Sequence, residues 1–326
     1  MKHTIKITAV ILGLFLITQF IGLLVCSIYL PKQEIIINQQ GAQELANITP
    51  ELPYGMQPPE IQQERDFWAV IPSFAISIFI AVVLILLLSK YQWNFIIKLW
   101  FFSVVVLALG IAINAFMMLF NLFQENYIFS FPLAWILSLL IAIPLAIFKI
   151  YRPRVLIHNL TELFIYPGIA AVFIPILSPY TVLVLLILIS IYDVWAVWHS
   201  GIMQKMAKYQ MNELKIFGGL FIPYITKEMR AKIRKLKKLK DKKKLKKIKV
   251  NVAILGGGDI VFPIITAGVF LKYYGIAPAL LIIFGAFAGL FFLLYRSEKK
   301  KFYPAMPFIT GGIVIGLLIW LLSFAI

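Results

Sequence analysis

Residues 180–199 read YTVLVLLILISIYDVWAVWH, an apolar run in which Asp193 is the one acid. A bilayer core about 30 Å thick needs roughly 20 apolar residues in an α-helix, so this stretch is long enough to cross a membrane. The rest of the 326-residue chain is similar, since 61% of it is hydrophobic and 14% is charged. This composition excludes a soluble globular enzyme and a disordered chain. Cys26, the only cysteine, excludes a disulfide scaffold.

Nine segments have the required length, so the sequence predicts an all-α polytopic membrane protein with nine transmembrane helices. The predicted spans are Ile7–Leu30, Phe67–Ser89, Phe95–Phe120, Phe129–Ile150, Leu163–Leu177, Tyr180–His199, Val250–Leu271, Ile276–Tyr295 and Phe302–Ile326. The fifth is short because it begins beside Glu162. The chain then divides into a six-span bundle (1–200) with an outer loop (31–66), a basic loop (201–249) and a three-span unit (250–326).

The distribution of Lys and Arg predicts the orientation, because inner loops of membrane proteins carry an excess of these residues. With a cytoplasmic N-terminus, 28 of the 31 fall inside, and only Lys32, Arg65 and Lys272 fall outside. Leaving out the long sixth loop keeps the excess at 11 to 3. We therefore expect a multi-pass protein of the cell membrane with its N-terminus cytoplasmic and its C-terminus outside.

The segment 230–249 carries 13 Lys or Arg and a single acid, Asp241. One interpretation is a cationic surface helix on the anionic lipids of the inner leaflet, where each near-surface Lys or Arg contributes about 1 kcal/mol. The other is a solvated linker, and both stay open. Nucleic-acid binding is not expected, because no stacking aromatic residues interleave with these charges and the tract lies between two spans.

Two acids lie inside predicted spans, where an ionisable group is costly and by default a functional candidate. Asp193 precedes the inner end of the sixth span by six residues, and Asp259 follows the inner start of the seventh by nine. At 1.5 Å per residue, the two acids lie roughly 9 and 13 Å from those ends. Acids at such similar depths on consecutive antiparallel helices can face each other.

Two facing carboxyl groups in a poorly solvated site cannot both ionise, so the pair retains one proton. The ionised member takes a proton from a water while the protonated member donates to a peptide carbonyl, which is the chemistry of an aspartyl protease. This reaction requires no metal and no cofactor, and we expect neither. No HExxH or GxSxG pattern supports a zinc or serine hydrolase. An ion-coupled transporter or channel is the alternative.

Glycines lie directly before the second acid and within the last two predicted spans. Gly256, Gly257 and Gly258 each lower helix propensity by about 1 kcal/mol relative to Ala. We expect Gly256 and Gly258 to open the site to water and substrate. GxxxG pairs at 285/289 and 312/316 predict close packing of the last two helices.

Three motifs occur in order: Tyr192-Asp193 in the sixth span, a GxGD pattern at 256–259 in the seventh, and Pro304-Ala305-Met306-Pro307 at the ninth. Together they resemble the presenilin and signal peptide peptidase family of intramembrane aspartyl proteases. The orientation and length are similar to those of compact archaeal presenilin homologues.

The resemblance implies that Asp193 and Asp259 are catalytic and that transmembrane helices of other proteins are the substrates. It also implies that Pro304, Ala305 and Met306 shape the substrate groove, where an extended substrate could add as a strand. An ordinary helix N-terminus with an early Pro is the alternative for this segment. Met306 replaces the usual Leu of the family with similar volume. Tyr192 either contributes to the pocket or packs elsewhere, and oligomerisation stays open.

Overall fold

The structure is a computed structural model that describes residues 5–37, 43–56, 93–123, 126–128, 131–152, 154–200, 218–224, 251–298 and 303–323, with short pieces between 68 and 91 and residue 229. About half of the predicted second span, 67–89, lies outside the described residues. The predicted surface helix at 230–249 lies outside them as well. Both features stay predictions.

The described chain is mostly helical, with three short antiparallel strand pairs that the all-α class did not include. The elements in chain order are α1 (Ile5–Ile28), β1 (Lys32–Ile37), β2 (Gln43–Ile48), a 3-10 turn (Pro53–Gly55), α2 (Asn94–Leu119), β3 (Tyr127–Ile128), β4 (Phe131–Pro132), α3 (Leu133–Tyr151), α4 (Val155–Phe173), a 3-10 turn (Ile174–Ile176), α5 (Pro179–Trp195), a π-helix (Ala196–Ser200), β5 (Gly219–Tyr224), β6 (Asn251–Gly256), α6 (Gly257–Tyr274), α7 (Ile276–Arg296) and α8 (Met306–Leu322). Strand β1 pairs with β2, β3 with β4, and β5 with β6.

Six of the described helices are long and apolar enough to cross a membrane. Helices α1, α2 and α7 begin and end close to the predicted spans, because their sequences are long and predominantly apolar. Helix α4 begins at Val155, earlier than the predicted Leu163, and therefore includes Glu162. This acid tolerates a buried helical position because Lys149 of α3 forms an ion pair with it.

The seventh predicted span differs most from the structure. Its first part is strand β6, where exposed Val252 and Ile254 alternate with buried Ala253 and Leu255. This period of two is that of a strand. Because both faces of β6 are apolar, hydropathy alone does not separate it from a helix. The predicted helix start near 250 is therefore wrong: α6 begins at Gly257, and Asp259 lies in its first turn.

Helix α6 is the centre of the described bundle. It packs against α1, α4, α5, α7 and α8. The side chains of Ile260, Ile264, Ala267 and Val269 are fully buried along it. The helix that carries Asp259 is thus held in place by contacts with all five of these helices.

Helices α7 and α8 cross at very short range through their glycines. An added Cβ on Gly285 would collide with the backbone carbonyl of Gly312, and one on Gly312 with that of Gly285. Gly289 and Gly316 lie equally close to the facing backbone. The predicted close packing through the GxxxG pairs is confirmed.

This crossing predicts opposite effects for two adjacent substitutions. Gly312→Ala gains about 1 kcal/mol of helix propensity but inserts a methyl group into a closed contact, which costs about 1–3 kcal/mol. Gly311→Ala gains the same propensity, and its added Cβ meets nothing within 4 Å. We expect Gly312→Ala to have the lower thermal unfolding midpoint of the two in detergent. Equal midpoints would contradict the observed crossing.

Candidate active site

Asp193 lies in the last turn of α5 and is 4% exposed. Just beyond it the helix widens into the π-helix Ala196–Ser200. The Ala196 amide donates to the carbonyls of both Tyr192 and Asp193, which marks the change of helical register. Such π segments occur often at functional sites. The first acid therefore lies where regular helix geometry ends.

The third motif contacts the first acid directly. The Met306 N–H donates a hydrogen bond of 3.0 Å to Oδ2 of Asp193, and the backbone of Ala305 contacts the same carboxyl group. Because Met306 is the first residue of α8, its N–H has no acceptor within the helix. A carboxylate at this position satisfies that donor and is stabilised by the positive end of the helix dipole.

A second polar contact holds α5 against α8, one turn before Asp193 in α5 and one turn after Met306 in α8. The hydroxyl oxygens of Ser190 and Thr310 lie 2.8 Å apart. Pro304, Ala305 and Met306 are all buried. The segment before α8 is therefore packed beside Asp193.

Asp259 is the third residue of α6 and is half-buried. Its carboxyl group turns back to Gly256, the residue before the helix, and interacts with the backbone of that residue. An added Cβ on Gly256 would lie 3.1 Å from Oδ2 of Asp259. An acid at this position is stabilised by the unpaired amides of the first turn. Both acids are therefore held at helix N-termini, Asp193 at that of α8 and Asp259 at that of α6.

Helices α5, α6 and α8, which carry the three motifs or begin at them, pack against one another. Helix α6 packs against α5 and α8, and the Asp193 carboxyl is close enough for its charge to act on the Asp259 carboxyl. Within the described ranges, no three His, Cys, Asp or Glu side chains converge so as to hold a metal ion. The arrangement offers two carboxyl groups and the backbone amides that hold them.

The three glycines before Asp259 have different surroundings. An added Cβ on Gly257 would lie 2.9 Å from Cε1 and 3.0 Å from the hydroxyl of Tyr166. Gly258 is exposed, and a Cβ there would be 3.8 Å from its nearest neighbour, Phe262. The ring of Tyr166 thus lies too close to Gly257 for a larger residue at this position. The sequence alone did not distinguish Gly257 from the glycines on either side. The predicted role of Gly256 and Gly258 in opening the site stays a prediction.

Tyr192 lies on an exposed part of α5. It is 48% exposed, whereas the adjacent Asp193 is buried. Its ring lies 6.3 Å from that of Trp195. Its predicted contribution to the pocket stays a prediction.

Gln19 is a site neighbour that the sequence analysis missed. This residue of α1 is fully buried, and its Nε2 donates a 3.0 Å hydrogen bond to the carbonyl of Ile260, the residue after Asp259. In α6, Pro263 has no N–H, so the Asp259 carbonyl lacks its usual helical donor. The sequence does show that Gln19 is a side-chain amide within the predominantly apolar first span, which indicates a buried polar contact. Its partner could not be read from the sequence, because the contact joins opposite ends of the chain.

Comparison with known proteins found one matching family and similar solved structures. A family model described as signal-peptide peptidase, presenilin aspartyl protease matches residues 47–326, a range that includes all three motifs. A solved structure described as a presenilin family intramembrane aspartate protease in space group C222 has a TM-score of 0.57 and 18% identity, covering 96% of this chain and 97% of that one. The same description in space group P2 has a TM-score of 0.54 and 19% identity, with 95% of each chain covered. No curated protein matches the chain.

The contact between Asp193 and α8 predicts a local change in amide exchange. Asp193→Ala removes the acceptor of the Met306 N–H, whereas Asp193→Asn keeps a side-chain oxygen that can accept the same bond. We expect faster hydrogen–deuterium exchange at Met306 in the Ala variant than in the Asn variant, measured by mass spectrometry in detergent. Identical exchange in the two variants would show that this hydrogen bond does not hold the start of α8.

Proposed function

The chain belongs to the signal-peptide peptidase and presenilin family of aspartyl proteases, and from this premise we propose that Asp193 and Asp259 form its catalytic pair. The proposed activity is that of a GxGD-type intramembrane endopeptidase, which hydrolyses peptide bonds within the transmembrane helices of single-span proteins. The observation that carries this proposal is the Met306–Asp193 hydrogen bond, because it joins the first and third motifs beside the helix start that bears Asp259. A structural role for either acid alone would not require this convergence.

The proposed topology has nine spans with a cytoplasmic N-terminus in the cell membrane. It is supported by the strong excess of Lys and Arg in the loops assigned to the inside. In this orientation the start of α6 and the start of α8 both face the cytoplasmic half of the bilayer. Hydrolysis would therefore occur toward the inner leaflet.

In the proposed mechanism a water lies between the two carboxyl groups, which share one proton. The ionised carboxylate takes a proton from the water, and the water oxygen attacks the scissile carbonyl carbon. The protonated carboxyl donates its proton to the carbonyl oxygen, giving a gem-diol. Collapse of the gem-diol breaks the C–N bond, and a proton passes to the leaving amine. One acid and one base are thus needed at each step.

A transmembrane substrate must unwind before it can react, because the amides of a helix in lipid are bonded internally. We propose that the unwound segment lies against Pro304, Ala305 and Met306. Their position beside Asp193 supports this role. The exposed Gly258 lies next to Asp259 and supports access for water on that side.

The proposal predicts that each acid is essential. Asp193→Ala and Asp259→Ala should each lower the cleavage rate by about 10²–10⁴-fold or more, because loss of one carboxyl removes general acid–base catalysis. The measurement uses purified protein in detergent and a tagged single-span substrate, with product followed by gel and mass spectrometry. Glu51→Gln, which changes an exposed acid remote in sequence from all three motifs, is the control and should cleave at the wild-type rate.

Two outcomes would contradict the proposal. Cleavage at the wild-type rate by either alanine variant would show that the acids do not act as a pair. A wild-type protein that cuts no substrate but carries a proton or cation flux dependent on both acids would favour the ion-coupled alternative.

A further inference from the structure

A second group of ionisable side chains is buried outside the proposed catalytic pair. Lys149 at the end of α3 forms an ion pair with Glu162 of α4, and His158 lies beside both. Their exposed fractions are 3%, 1% and 3%. Buried ion pairs add little stability, because apolar residues of similar volume avoid the desolvation of two charges. The role of these three side chains is therefore better inferred from the backbone groups to which they are hydrogen-bonded.

The cluster holds the first residue of strand β5. Nε2 of His158 lies 2.8 Å from the carbonyl oxygen of Gly219, which can only accept, so Nε2–H is the donor. Nδ1 of His158 faces the Lys149 ammonium at 3.5 Å and is then free to accept from it. Oε1 of Glu162 accepts from the N–H of Gly219 at 3.4 Å. Both backbone groups of Gly219 are thus bonded to α4.

The next side chain of α4 repeats this arrangement. Asn159 donates through Nδ2 to the carbonyl of Phe221 at 2.9 Å and accepts from its N–H at 3.1 Å. Residues two apart present their N–H and C=O groups on the same edge of a strand. Helix α4 therefore takes the place of a third strand beside β5. We call His158, Asn159 and Glu162 the α4 clamp.

Two connections lead from α4 to the second acid. Strand β5 pairs with β6 in a register that places Gly219 opposite Gly256, the residue to which Asp259 turns back. Further along α4, the ring of Tyr166 packs against Gly257. Helix α4 therefore places both Gly256, the residue before α6, through the strand pair, and Gly257, the first residue of α6, by direct contact.

We propose that the α4 clamp, with Lys149 as the counter-ion of Glu162, is a positioning device for Asp259. The proposal rests on the proposed function, because it assigns the clamp a role in the same reaction. The clamp acts on the position of Asp259 through β5 and β6. Its loss should therefore lower kcat more than it changes KM. A displacement of about 1 Å in a reacting group can lower a rate by about 100-fold.

The test compares two double variants, because removing Glu162 alone would leave Lys149 as an unpaired buried charge. The first combines Lys149→Met with Glu162→Gln, which keeps a side-chain oxygen able to accept from the N–H of Gly219. The second combines Lys149→Met with Glu162→Met, which offers no such acceptor. Both replace the ion pair by uncharged side chains of similar length.

We expect the Glu162→Met double variant to cleave the single-span substrate with a kcat at least about tenfold below wild type and an unchanged KM. The Glu162→Gln double variant should recover most of this loss. Amide exchange at residues 219–224 and 251–256 should accelerate only in the Glu162→Met double variant. If this variant does not fold, Asn159→Leu removes the two bonds to Phe221 without disturbing the ion pair and should also lower kcat.

Asn114→Ala is the control for a general loss of packing. Asn114 is a fully buried polar residue of α2 that donates to the Tyr29 hydroxyl, so its loss should lower the thermal midpoint and leave kcat unchanged. Equal kcat and equal exchange in the two double variants would overturn the clamp and leave the protease assignment intact. A fall in kcat of the same size in Asn114→Ala would also overturn it. A wild-type protein without proteolytic activity would overturn both proposals.

Discussion

Two acidic side chains inside an apolar bundle need backbone donors to hold them, and two helix N-termini supply these donors. The amide of Met306 at the start of α8 bonds to Asp193, and Asp259 turns back to Gly256 at the start of its own helix. The first amides of a helix are unpaired and carry the positive end of its dipole. Beside the second acid, the side-chain amide of Gln19 donates a hydrogen bond to the carbonyl of Ile260 and ties α6 to α1.

Local features of this arrangement were predictable from the sequence. Long, predominantly apolar segments predict the bounds of α1, α2 and α7, because hydropathy is the dominant constraint on a helix in lipid. The GxxxG pairs predicted the close crossing of α7 and α8, since only a missing side chain permits backbone contact there. The three motifs were sufficient to indicate the family, and the family match over residues 47–326 confirmed it.

Contacts between distant parts of the chain were not predictable. The sequence predicts a helix where strand β6 lies, because both faces of this strand are apolar. Its partner β5 lies inside the segment 201–249, which the sequence predicts as a basic loop. Glu162 was placed at a span boundary, because no local signal shows that Lys149 from the preceding helix neutralises it. Each of these features depends on a contact between residues that are far apart in the sequence. A local stretch of sequence therefore does not reveal it.

The central claim is that Asp193 and Asp259 belong to one site. Binding of a peptide isostere with a secondary hydroxyl at the scissile position tests it most directly, because such a group mimics the gem-diol held between two carboxyl groups. The account predicts that the detergent-purified wild type binds the isostere and that Asp193→Asn and Asp259→Asn each weaken binding by about 100-fold or more. Unchanged affinity in either variant would show that the two acids do not share a site.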